Sequence, residues 1–156
     1  MIKFLLEKIS RLNDCRVIEA QKVRTTLNLP SDLLEFYHLC NGVELFIHSD
    51  YPFKILGIEN ISSSNKIILD DISINDISRN WFVIAEDYNG DYLSIDLSKN
   101  KLGWCYDSFY EIYGLAGNMP IIAKSFTELL INLYNQKGKS LYWYDDNFIS
   151  YGDAYD

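Results

Sequence analysis

Trp81-Phe82-Val83-Ile84-Ala85-Glu86-Asp87 and Tyr92-Leu93-Ser94-Ile95-Asp96-Leu97 flank the segment Tyr88-Asn89-Gly90-Asp91. An Asn-Gly pair between two apolar runs predicts a tight β-hairpin, because both turn residues accept positive φ. In the second run Tyr92, Ser94 and Asp96 alternate with Leu93, Ile95 and Leu97, so one face is expected to pack and the other to be wetter. A further turn at Ser98-Lys99-Asn100-Lys101 predicts a third strand over Leu102–Tyr106, and the three strands form a meander.

Upstream, Ile2, Leu5, Leu6, Ile9 and Leu12 recur at helical spacing and predict an amphipathic N-terminal helix. A second helix is expected over about Ile18–Leu27, with Ala20, Val23 and Leu27 on one face. Pro30-Ser31-Asp32 then opens a third helix through Leu33, Leu34, Phe36, Tyr37 and Cys40, with Ser31 or Asp32 as its cap and Asn41-Gly42 as its stop. Val43–Ile47 and Phe53–Ile58 read as short strands split by Ser49-Asp50-Tyr51-Pro52. Between residues 59 and 79 the pattern is open: Ser62–Asn65 reads as a loop, and Ile67–Ile77 as a short helix or irregular chain. Downstream, Ser125-Phe126-Thr127-Glu128 has capping-box spacing, predicting that Ser125 caps a helix while Glu128 reaches back. Phe126, Leu129, Leu130, Leu133 and Tyr134 supply the buried stripe of that helix, which ends near Gly138.

The elements together indicate an α+β fold: N-terminal helices and a C-terminal helix around a mostly antiparallel sheet. At 156 residues, with no repeat or long linker, the chain is expected to be one domain over 1–156, its segment 141–156 a separate aromatic and acidic tail. Apolar residues make up 48% of it, enough for a core without disulfides or metal. Cys15, Cys40 and Cys105 are odd in number and widely spaced, which argues against a disulfide framework or zinc site. Apolar runs last only a few residues, and Glu7 and Lys8 interrupt the N-terminal one, so neither a spanning helix nor a signal peptide is expected. The cytoplasm is the expected location.

The net charge is −8 and unevenly spread: residues 1–40 carry six Lys/Arg against five Asp/Glu, and residues 41–156 eight against seventeen. Such a surface repels nucleic acid and anionic membrane and steers basic partners inward. Acidity also serves plain solubility, so both readings stand.

Leu29-Pro30-Ser31-Asp32-Leu33-Leu34-Glu35-Phe36-Tyr37 followed by Asn41-Gly42, the Phe82–Leu97 hairpin with Gly90-Asp91-Tyr92, and Ile122-Ala123-Lys124-Ser125-Phe126 resemble, in that order, the signatures of the SUKH (Smi/Knr-like) superfamily. The resemblance spans roughly residues 17–135. It implies an α+β fold with helices around a mostly antiparallel sheet. It also implies a role as a bacterial immunity protein that neutralises a polymorphic toxin. Other members act as regulatory interaction modules, so that alternative stays open. The residues carrying the resemblance are mostly core and turn positions, which explain fold rather than a binding surface.

No Ser-His-Asp order, Cys-His pairing or metal-ligand cluster is evident. Gly114-Leu115-Ala116-Gly117 lacks the Lys-Ser/Thr pair of a phosphate loop. Binding rather than catalysis, with no cofactor, is therefore expected. Glu86, Asp87 and Asp91 flank the hairpin turn, either as paired acid and base or as exposed residues keeping the tip soluble. The tail carries Tyr142, Trp143, Tyr144, Phe148, Tyr151 and Tyr155 with Asp145, Asp146, Asp153 and Asp156, and no Lys or Arg. Its aromatics either anchor a partner or, for Tyr142, Trp143 and Phe148, cap the core; its aspartates either steer a basic partner or simply face water. The candidate partner-binding set is Tyr144, Asp145, Asp146, Asp153, Asp156, Glu86, Asp87 and Asp91. The expected partner is a cognate protein toxin, basic in character, with neither nucleic acid nor membrane bound directly and the chain itself a monomer or weak homodimer.

Overall fold

A computed structural model describes residues 1–156. Four helices, α1 (Ile2–Ser10), α2 (Ser31–Leu39), α3 (Ser64–Leu69) and α4 (Phe126–Gln136), accompany seven strands. The strands are β1 (Arg16–Val17), β2 (Val43–Leu45), β3 (Phe53–Ile55), β4 (Trp81–Asp87), β5 (Tyr92–Asp96), β6 (Cys105–Ser108) and β7 (Ile121–Ala123). All seven form one antiparallel sheet in which spatial order equals chain order, bearing out the α+β expectation.

The main core lies on one face of this sheet. Ile2, Leu5, Leu6 and Ile9 of α1, Leu33, Phe36 and Tyr37 of α2, and Phe126, Leu129, Leu130 and Leu133 of α4 pack there on Val43, Phe53, Ile55, Leu93, Ile95 and Ile122. Each helix buries a stripe at the spacing its sequence sets, and each such side chain withdrawn from water is worth about 1.5–3 kcal/mol of transfer energy.

The other face is not wet along its β5–β7 half. Trp81, Tyr106, Tyr113, Met119, Ile121 and Ala154 form a second, smaller core. Ser94 and Asp96, expected on the wetter side of β5, are buried there. Asp96 Oδ2 accepts the Trp81 indole N–H at 3.2 Å and the Tyr106 hydroxyl at 2.6 Å, while Ser94 shares 2.7 Å hydrogen bonds with Ser64 and Ser108. Polar residues on this face are thus buried with partners supplied by a covering layer.

Other expectations are corrected in detail. Residues 18–27 are not a helix: Ile18 continues the β1 pairing by exchanging backbone bonds with Gly42 and Asn41, and the chain beyond it is irregular. Asp32 does not cap α2, whose first residue is already Ser31; its Oδ2 instead accepts from Thr127 N at 2.8 Å and Thr127 Oγ1 at 2.9 Å, capping α4 from a neighbouring helix. Ser125 Oγ accepts from Glu128 N at 3.0 Å as expected, but Glu128 Oε2 reaches the N–H of Lys124 rather than of Ser125, at 2.8 Å. The helical part of residues 59–79 starts earlier than expected, at Ser64, and the third strand of the meander sits later, at Cys105–Ser108.

The hairpin tip is a three-residue loop, 88–90, closed by Asp87 N donating to Asp91 O at 2.9 Å. Gly90 has φ +91, whereas Asn89 stays at negative φ, so one left-handed residue suffices. The far edge of the sheet is covered by the tail: Ile121 N donates to Gly152 O and Ala154 N to Met119 O. No helix is long and apolar enough to cross a membrane.

Candidate partner-binding site

Three loops meet at the hairpin-tip end of the sheet. The first, between β2 and β3, docks on the end of α4, where Tyr51 N donates to Gly138 O at 3.0 Å. Gly138 has φ +69, and a Cβ there would collide with the Ser49 side chain, so glycine is required both by backbone and by close approach. The second loop is the hairpin tip, held by Asp87 Oδ1 accepting from Asn89 N and Asp91 N, both at 2.9 Å. Asp91 Oδ1 in turn accepts from Tyr110 N at 2.9 Å, tying the tip to the chain after β6. The third is the tail after α4, anchored by Tyr142 OH donating to Ile122 O at 2.6 Å.

Between these loops lies a cleft of about 230 Å³ walled by Tyr51, Phe53, Phe109 and Leu141, with Asp50, Asp87 and Asp91 on its rim and no Lys or Arg in its lining. Small-molecule pockets usually run from roughly 300 to 1,000 Å³. This cleft is better sized for one side chain, and its charge suits a cationic one with an aliphatic stem.

Beside it, Asp107 is fully buried, accepting the Trp143 indole N–H and the Tyr144 hydroxyl, both at 3.0 Å. Burial pushes its carboxyl up from the usual carboxylate value, with the charge of Asp91 adding to the effect. This residue escaped the sequence reading. The available signal was an acidic side chain directly after the aromatic Tyr106 and two positions before Phe109.

The structure separates the eight candidate residues. Asp87 and Asp91 share the cleft, joined by Asp50, which had not been singled out. Tyr144 is exposed apart from its bond to Asp107, Asp145 is exposed and accepts from Ser140 Oγ at 3.1 Å, and Asp146 is exposed. Asp153 is spent on structure, accepting from Met119 N at 2.7 Å and Tyr155 N at 2.9 Å, and Asp156 Oδ2 accepts from Asp153 N at 2.8 Å. Glu86 lies on the opposite face of β4 from Asp87, opposed across the sheet to Lys54 and Tyr92. Tyr142 and Trp143 are buried and Phe148 is half-buried against them, capping the core.

Cys40 and Cys105 are buried free thiols, Cys15 a half-buried one, and burial pushes Cys40 up to about 11. No group of three or more His, Cys, Asp or Glu side chains is arranged to hold a metal ion.

Comparison with known proteins matches residues 17–132 to the SMI1 / KNR4 family (SUKH-1). The chain belongs to this family. It is also similar to a protein named Immunity protein YokJ from Bacillus subtilis (strain 168), at 40% identity over 158 residues, covering 99% of this chain and 96% of that protein. No solved structure matches. The family match begins at Val17, in β1, and ends within α4, so it takes in the hairpin tip and the β2–β3 turn while the tail wall of the cleft lies outside it.

Proposed function

We propose that this SUKH-1 chain is an immunity protein that binds a cognate protein toxin stoichiometrically and blocks it, the toxin being a basic domain of nuclease type. The observation that carries the partner's chemistry is the cleft where Asp50, Asp87 and Asp91 converge on apolar walls without a cation. A lysine or arginine entering it would lay its stem on Phe109 and Leu141 and its charge among the three carboxylates. The surrounding excess of acidic residues would raise the association rate, while exposed Tyr51, Tyr110 and Tyr144 offer aromatic area that slows dissociation. On a nuclease, an acidic surface of this kind would occupy the ground that otherwise holds phosphates. The name of the YokJ relative supports the immunity role.

The test is capture of partners from the native cell, with this chain as bait at moderate salt, followed by mass spectrometry. Recovery of one basic toxin domain near one-to-one, and survival of cells expressing that toxin only when this chain is present, is the expected result. Recovery of housekeeping partners without a toxin would replace this reading with that of a regulatory interaction module.

A further inference from the structure

Toward the hairpin-tip end, the second face of β1–β5 lies outside the second core with its side chains partly exposed, and the register writes a single row across it. Arg16 opposes Glu44, Glu44 opposes Lys54, Lys54 opposes Glu86 and Glu86 opposes Tyr92, so all five side chains stand on one face in line. Charge alternates along four successive strands as plus, minus, plus, minus. Arg16 and Glu44 pair within the chain at 3.1 Å, whereas Lys54 and Glu86 form no ion pair. Tyr88 is 48% exposed next to this row, close enough to Glu44, Glu86 and Arg16 to feel their charges. On the row's other side a groove of about 290 Å³ brings Leu56, Val83 and Ile67 together with Lys54, Glu86 and Tyr92.

An even-numbered alternating row is complementary to its own reversal. We propose that this tip-end part of the sheet face is the interface of a homodimer, formed by a second copy about a two-fold axis that runs along the strands between β2 and β3. That axis sets Arg16 of one copy against Glu86 of the other and Glu44 against Lys54, giving four attractive pairs. A two-fold axis lying along the row instead would set every charge against its own copy, so the pattern selects one docking direction. Isologous closure leaves no open end, and the interface carries aromatic and aliphatic side chains beside the charges. Within one chain Arg16 and Glu86 are three strands, roughly 14 Å, apart and do not pair with each other. The acidic cleft opens from the core side of the sheet, so the dimer presents two clefts and would bind two partners. This inference stands independently of who those partners are.

Sedimentation of the full chain over a range of concentrations tests it. The native chain should show a monomer–dimer equilibrium. Arg16→Glu alone, or Glu86→Arg alone, should weaken that equilibrium about tenfold or more, because each turns two attractive pairs into repulsive ones. An equimolar mixture of the two variants should recover a heterodimer of near-native strength. Arg16 is exposed and Glu86 half-buried, and circular dichroism verifies that each variant folds. Lys54→Glu and Glu44→Lys repeat the test at the central pair. A native chain that stays monomeric throughout, a dimer indifferent to these changes, or a mixture that fails to reassociate would overturn the proposal.

Discussion

Asp107 and Trp143, 36 residues apart in the chain, are joined by a 3.0 Å hydrogen bond from the indole Nε1–H to the carboxylate Oδ2. The same oxygen accepts from Tyr144, so one buried acid fastens the tail segment to β6. Asp107→Ala leaves the Trp143 donor buried without a partner, and a stranded donor costs about 1–3 kcal/mol. Urea denaturation should show that loss, with Trp143 fluorescence shifting as the 141–149 segment loosens.

The same carboxyl sets a pH dependence. Its folded value lies above the ordinary 3.8, chiefly through desolvation, so the folded chain holds this proton more tightly than the unfolded chain. The group's contribution to stability is therefore fullest below the unfolded value and declines as pH rises through the folded one. Asp107→Asn should remove that decline. The stability difference, native minus variant, is expected to shrink steadily from about pH 4 upward in denaturation series at several pH values; a constant difference would contradict this assignment.

Gly138 holds the β2–β3 turn against α4. Gly138→Ala meets both a left-handed backbone and the Ser49 side chain, and should cost about 1–2 kcal/mol for the backbone alone. Partner affinity should fall more than global stability implies, because Asp50 and Tyr51 leave the cleft rim together. Equal losses at Gly138 and at a control core site would separate the turn from binding.

Replacing Asp50, Asp87 and Asp91 by Asn keeps the turn hydrogen bonds while removing three charges. Association with a basic partner should slow by about tenfold at low salt and converge with native at high salt. Asp145→Lys with Asp146→Lys should act in the same direction, whereas changes at Asp153 should lower stability without altering the association rate. Stopped-flow mixing across a salt series distinguishes these outcomes.

Asp32 adds a second cap to α4 beside Ser125, reaching Thr127 across 95 residues of sequence. Asp32→Ala should cost about 1 kcal/mol, the typical value for a lost N-cap, read as a lowered midpoint in thermal unfolding. Asp32→Asn should recover only part of it, since its single amide oxygen can serve the Thr127 N–H or the Leu33 N–H, which the two carboxylate oxygens now accept separately.

Local chemistry made much of the fold legible. Apolar spacing in α1, α2 and α4, the Gly90 turn and Ser125 at the start of α4 all act within a few residues of one another. Residues 18–27 misled because Ala20, Val23 and Leu27 mimic a helical stripe, while Val17 and Ile18 were already committed to pairing with the chain around β2. With Thr25 and Thr26 adding β-branched stiffness and no cap at hand, a ten-residue helix had little to hold it. Ser94 and Asp96 looked solvent-facing because a polar side chain does not announce that another layer will cover it. The cleft was half visible: Asp87 and Asp91 share a turn, but Asp50 arrives from another hairpin, and Asp107 sits beside the cleft on a buried strand. Asp153 and Asp156 were drawn into the candidate set by composition alone, and the structure spends them on tail geometry.

The tail's pairing with β7 leaves the sheet with one sealed margin and one short one, the latter being the two residues of β1. An incoming strand from another molecule has only that stub to grip, beside the charge of Arg16. Cleavage between Trp143 and Gly152 would undo this protection. It would strip the neighbour from a fully apolar Ile121-Ile122-Ala123 strand and leave an edge on which strands of other copies could pair into fibres.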